Sequence, residues 1–461
     1  MNFKKVATIV AAAGALAAIS VPAMALENEF HGMYRFMGYQ SNFFEGTTLS
    51  PAQASALLRN DSHSGFFAEQ RARLQYTAKA NDNLKLVTHF ELDARFGGKA
   101  TAPAGAISTT NVGYLGTATG NDAGNMDADQ LTLETKNIYL DFNCPITGAN
   151  VKAGIQPWAD SYQSLFLLAD MTGVSATKKF GPATASLGWF RFDDNTTAAT
   201  SIVSGGGQLT ADLLVVDGKF AISKDLTVGA SYYNVQNDTG LAATAPFELL
   251  HMLGVNADIK VGPASIKPFA AYQFGDRTAT TDIKAFMLGA VSKIKVGPGA
   301  VNLSAIYLSG DSNTNNEKSF TAIGANQTYF NAANMWLLIR NGQAVNSSSS
   351  VLGNDMTVGS RGFAGVFAGF EGTMNKVFYN ANIGYAQTAK SRAGQEKTIG
   401  TEVNAQVGYK LFDNLTASAA LAYAMLGDGL SSATAADRIT GFGGANADDP
   451  YALNLQLSYT F

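Results

Sequence analysis

Leu453-Asn454-Leu455-Gln456-Leu457-Ser458-Tyr459-Thr460-Phe461 is apolar at every odd position and polar at every even one. Successive side chains of a strand point to opposite faces, so a period of two dictates a strand with one apolar and one wet face. The pattern recurs upstream. Leu84, Leu86, Phe90, Leu92 and Phe96 share a face, against Lys85, His89, Glu91, Asp93 and Arg95. Ile399, Val403, Ala405, Val407 and Tyr409 oppose Gly400, Glu402, Asn404, Gln406 and Lys410. Leu253, Val255, Ala257 and Ile259 oppose Asn256, Asp258 and Lys260.

A soluble sandwich also alternates, so the connections discriminate. Tight ones, such as Asn81-Asp82-Asn83, Gly181-Pro182, Gly262-Pro263-Ala264, Gly297-Pro298-Gly299 and Asp413-Asn414, are built from turn-forming residues. They alternate with wide ones at 41–64, 97–129, 311–361 and 428–449. Short turns on one rim and long loops on the other describe a transmembrane antiparallel up-and-down β-barrel, with short periplasmic turns and long extracellular loops. The segmentation gives eighteen strands, with sixteen as the alternative count. Segment 130–142 is apolar at both parities, which a bulge would explain. Segments 150–156 and 171–180 are short and polar, and 311–361 has room for another hairpin. Tyr232, Tyr272, Tyr307, Tyr385 and Tyr423 fall on the apolar face near the long-loop end, where an aromatic girdle belongs.

Composition agrees. Only 15% of the 461 residues are charged, against about 25% in average soluble domains. A single Cys, Cys144, excludes a disulfide framework, a Cys-based zinc site, an Fe–S cluster and covalent c-type haem. Residues 1–25 read as a signal peptide: Lys4 and Lys5, an apolar run from Val6 to Ile19, then Ala23-Met24-Ala25 as a cleavage site. Residues 26–461 then form one barrel domain, with 30 basic against 36 acidic residues. That near-neutral balance argues against nucleic acid as a partner. No later stretch is apolar for 18 residues, so no spanning helix is expected.

Phe67-Ala68-Glu69-Gln70-Arg71-Ala72-Arg73-Leu74-Gln75-Tyr76, Asn137-Ile138-Tyr139-Leu140-Asp141-Phe142 and Gly154-Ile155-Gln156-Pro157 resemble porin-type outer-membrane channel proteins of metal-reducing bacteria, the OmpJ-like group. The resemblance implies an abundant outer-membrane channel, among outer-membrane lipid and lipopolysaccharide. It also implies a homotrimer, in cells rich in exported c-type cytochromes, which would be partners because this chain carries no haem motif.

Eighteen strands enclose a lumen too wide for their own side chains to fill, so inward polar faces line water. By parity Arg35, Arg71 and Arg73 face inward, followed by His89, Glu91, Asp93, Arg95 and, far along the chain, Glu402. A basic wall opposite an acidic inserted loop makes a constriction with a transverse field. The candidate loop is 158–170, with Asp160 and Asp170 facing Arg71 and Arg73. The alternative is that the arginines pair with Glu69, Glu91 or Asp93, since confined charges are usually paired. The four His residues have no metal-binding spacing, and no nucleotide or serine-hydrolase motif occurs. The reading is a passive diffusion channel for small hydrophilic solutes or ions, not an enzyme, with no cofactor. The net acidity favours cations and the arginine wall favours anions. The rival reading is a scaffold barrel that supports or ensheathes exported cytochromes.

Overall fold

The computed structural model describes residues 26–44, 50–96, 112–113, 116–117, 133–194, 206–207, 209–239, 247–323, 330–340 and 350–461. The expected signal peptide lies outside the described residues.

Among the described residues eighteen barrel strands follow in chain order, with a separate two-stranded pairing of Val112–Gly113 and Gly116–Thr117 outside the barrel sheet: β1 (Glu27–Ser41), β2 (Gly65–Asn81), β3 (Leu84–Arg95), β4 (Glu134–Asn143), β5 (Asn150–Ala159) and β6 (Leu168–Phe180); then β7 (Ala183–Asp194), β8 (Thr210–Ala221), β9 (Leu226–Asn237), β10 (Leu249–Val261), β11 (Ala264–Thr278) and β12 (Thr281–Val296); then β13 (Gly299–Leu308), β14 (Phe363–Met374), β15 (Val377–Gln387), β16 (Thr398–Phe412), β17 (Leu415–Leu426) and β18 (Tyr451–Thr460). Each pairs antiparallel with its chain neighbours, and β18 pairs with β1, so the sheet closes on itself. Closure leaves no unpaired edge. At the seam the Phe461 N–H donates to the Gly32 carbonyl at 3.1 Å and the Gly32 N–H donates back to Phe461 at 2.9 Å. Gly32 is required there, because a Cβ would run into the Phe461 ring.

The count of eighteen stands, and the difficult segments have local explanations. β4 begins at Glu134, and the register slips between His89 and Phe90, leaving Lys136 as the extra residue. That bulge moves the apolar parity. The 311–361 segment adds no barrel strand among its described residues; it carries a 3-10 turn at Asn331–Ala333.

Exposure along β18 is the reverse of a water-soluble sheet. Leu453, Leu455 and Leu457 are exposed on the outside, while Asn454 and Gln456 are buried within. Leu253, Val255, Val366, Ile383 and Val403 repeat the pattern outside, and Glu69, Gln273, Glu402 and Asn404 repeat it inside. Tyr272, Tyr385 and Tyr423 stand exposed on the outer face. Tyr232 stacks with His251, which stacks with Phe274, in the same outer belt.

The interior also holds an apolar core that strict alternation does not anticipate. Leu213 and Val215 of β8, Tyr233 and Val235 of β9, Met252 of β10 and Met287 of β12 point inward and are fully buried. They pack against long-rim loops that fold into the barrel, contributing Tyr162, Phe166, Trp336, Leu337, Leu338 and Phe320. Burying each large apolar side chain contributes about 1.5–3 kcal/mol, so the inserted loops are held chiefly by this contact.

Candidate functional site

Two carboxylates hold the inserted loops. Asp160 opens the 160–167 loop between β5 and β6. Its Oδ1 accepts the N–H groups of Tyr162 at 2.6 Å and Ser164 at 2.9 Å, and its Oδ2 those of Phe166 and Leu167 at 2.7 Å each. A turn of eight residues directs its amides inward, and one carboxylate satisfies four of them. The loop reaches β10, where Gly254 leaves the space that the Tyr162 phenol fills. Glu402 of β16 does the same for the long 309–362 loop. Its Oε1 accepts the Trp336 N–H at 2.7 Å, and its Oε2 accepts those of Leu337 at 2.9 Å and Leu338 at 2.8 Å. Asn404 donates to it at 2.8 Å, within a ladder that continues through Asn382, Asn380 and Gln406. The two loops touch, the Ile323 N–H donating to the Phe166 carbonyl at 3.0 Å.

Asp160 and Glu402 therefore differ from the sequence expectation. Both face inward, but both lie under loop backbone rather than on a water-lined wall; Glu402 is 0% exposed. Asp170 differs too. It belongs to strand β6, where Lys136 pairs with it at 3.0 Å and Asn137 donates to it at 2.8 Å.

The inserted loops pack on the apolar inner arc, and the wall of β2–β4 keeps its charges. Register places Glu69 opposite Arg95, Arg71 opposite Asp93, Arg73 opposite Glu91 and Gln75 opposite His89. Opposite charges thus face each other across the first three of these rungs. Arg71 forks onto Asp93, Nε to Oδ1 at 2.7 Å and Nη2 to Oδ2 at 2.5 Å, and lies 3.4 Å from Glu91. Arg73 pairs with Glu91 through Nε. The arginines thus bond to the neighbouring strand, and the expected facing of Asp160 and Asp170 is replaced by these pairs. Arg35 stands opposite Arg71 in the β1–β2 register. Arg95 lies over the Phe67 ring, 5.2 Å from its centroid. The His89 Nδ1 is 3.4 Å from Asn137. Among the described residues no group of three His, Cys, Asp or Glu side chains is placed to hold a metal.

Two cavities flank the inserted loops. The one towards the long-loop rim has a volume of about 840 Å³ and is lined by Asp170, Arg191, Asp193, Arg277 and Asp355, among others. The one towards the short-turn rim has about 850 Å³ and is lined by Lys260, Lys267, Lys293 and Lys295 with Glu371, Asn302 and Asn380. Lys293 pairs with Glu371, and Lys267 lies 3.5 Å from Asp258. The lysine group was not singled out from sequence. A repeat marks it: Ile259-Lys260-Val261-Gly262-Pro263 recurs as Ile294-Lys295-Val296-Gly297-Pro298, which sets two lysines at one height beside successive Gly-Pro turns.

The same fold recurs in solved outer-membrane proteins. OccAB4 of Acinetobacter baumannii superposes with a TM-score of 0.54 at 12% identity, covering 96% of this chain and 100% of that one. OccK2 (OpdF) of Pseudomonas aeruginosa gives 0.55 at 9% identity, covering 94% and 98%. OccK2 has also been solved in complex with glucuronate. No family model matches the chain, and no curated protein matches it. At these identities the likeness extends to the fold, an eighteen-stranded barrel.

Proposed function

We propose that the protein is an outer-membrane channel for the passive diffusion of small hydrophilic solutes or ions. The observation that carries this is the inverted exposure of a closed barrel: leucine, valine and tyrosine outside, paired charges and amides within. Such an exterior is suited to lipid, and an eighteen-stranded wall leaves room for water. A solute would enter the 840 Å³ cavity, pass between the inserted loops and the charged β2–β4 wall, and leave by the lysine-lined cavity. Arg35, Arg71, Arg73, His89, Glu91, Asp93 and Arg95 would line this path, while Asp160 and Glu402 would set its width by fixing the loops. The cations Arg71 and Arg73 of β2 lie beside the anions Asp93 and Glu91 of β3, so the path would orient a dipolar solute more than it would exclude either charge.

The finer family reading, an OmpJ-like channel beside exported c-type cytochromes and lipopolysaccharide and assembled as a homotrimer, rests on the three short motifs in β2, β4 and β5. Liposome swelling tests the function. Vesicles containing the protein should swell in isosmotic small sugars and stop swelling above a size limit. Swelling no faster than protein-free vesicles would favour the scaffold reading.

A further inference from the structure

The 309–362 loop re-enters the wall beside a guanidinium that has no ion-pair partner among the described residues. Arg361 is 1% exposed. Its Nε donates to Gln395 at 2.9 Å and its Nη1 to the carbonyls of Val358 at 3.1 Å and Gly359 at 3.4 Å. Its Nη2 is buried and has no acceptor among the described residues. Arg392, on the 388–397 loop, converges on the same place: its Nη2 donates to the Gly359 carbonyl at 3.4 Å and to Asn316 at 3.4 Å, and its buried Nε has no acceptor among the described residues. Neither arginine makes an ion pair among the described residues. Asp355 bears on Arg361 only at a distance, with its carboxylate engaged by Thr357 and by the Gly359 N–H.

Two cations at the Gly359 carbonyl, each with a buried N–H left over, are costly without a compensating anion. Burial first, and Arg392 second, push the Arg361 guanidinium down to about 10. Four loop segments meet here. Backbone bonds join Lys390 to Arg361 and Ala389 to Gly362, Gln395 donates to Thr440, and Arg392 reaches Asn316. We propose that a small oxyanion of the phosphate or sulfate class binds between Arg361 and Arg392 and fastens these loops together. A tetrahedral oxyanion suits the site because it offers several acceptors to donors arriving from two guanidinium planes.

The test is equilibrium dialysis of radiolabelled inorganic phosphate against the detergent-solubilised full-length barrel, at about 0.1 M chloride to screen loose surface binding. The expected result is one saturable site per chain. It should weaken at least tenfold in Arg392→Gln, with heat-modifiable mobility unchanged, and persist in Lys293→Gln/Lys295→Gln. Arg361→Lys, which keeps the charge but loses the fork, should also weaken it and serves if Arg392→Gln misfolds. No saturable binding, wild-type binding in both arginine variants, loss only in the lysine variant, or equally effective competition by chloride would overturn the proposal.

Discussion

Replacing Glu402 with Ala should loosen the 309–362 loop without opening the barrel. The carboxylate accepts three loop N–H groups at 2.7–2.9 Å, and Ala leaves all three buried without an acceptor. Each orphaned N–H costs about 1–3 kcal/mol. The loop can relax, so the lower bound is the appropriate one, about 3 kcal/mol in all. At about 1.4 kcal/mol per tenfold, that raises the detached population roughly 100-fold. The apolar seat of Trp336, Leu337 and Leu338 remains, so the anchor is weakened rather than erased. Arg340 lies two residues beyond Leu338 and provides the readout. Trypsin should cleave after Arg340 about 100-fold faster when cleavage follows the open population, and open-channel current noise should increase. A folded Glu402→Ala barrel with wild-type cleavage and quiet current would refute the anchoring role.

Other outcomes follow from the charge layout. Arg71→Ala/Arg73→Ala removes two cations and leaves Asp93 and Glu91 without these partners. The reversal potential in a salt gradient should therefore shift towards cation preference at about 0.1 M salt, and less at ~1 M, where the Debye length falls from about 10 Å to about 3 Å. An unchanged potential would place these pairs off the ion path. Lys293→Gln/Lys295→Gln should shift it in the same direction with little loss of stability, since both side chains are exposed in the lower cavity; a shift towards anions would contradict the cavity's placement on the path. N-terminal sequencing of membrane-extracted protein should begin at Leu26, and a retained Lys5 would overturn the export reading.

The barrel was legible because alternation and turn chemistry are local. Leu453–Phe461 specifies its own two faces, and Gly262-Pro263 or Asp413-Asn414 specifies its own reversal. The strand count followed, including a bulged β4 whose mixed parity signalled the slip at Lys136. The lumen was less legible. Parity put Glu402 inside and the inserted-loop reading put Asp160 there, but their partners are backbone amides of loops, and nothing in residue type reveals which amides a carboxylate will meet. One signal was available. Met335-Trp336-Leu337-Leu338-Ile339 is too apolar for a loop in water, and Leu213-Leu214-Val215-Val216 is apolar at both parities, so one face had to meet something dry. The cross-strand pairing of Arg71 with Asp93 required the β2–β3 register, which the Asn81–Asn83 turn fixes only to within a residue.

The central claim is that the inserted loops narrow the lumen and leave a water path along the β2–β4 wall. Single-channel recording of the purified wild-type barrel in a planar bilayer tests it most directly. The account requires discrete, ohmic conductance steps that grow in proportion to bulk salt at high concentration, where screening removes the wall's influence. A correctly folded, heat-modifiable barrel that inserts and carries no current would contradict it.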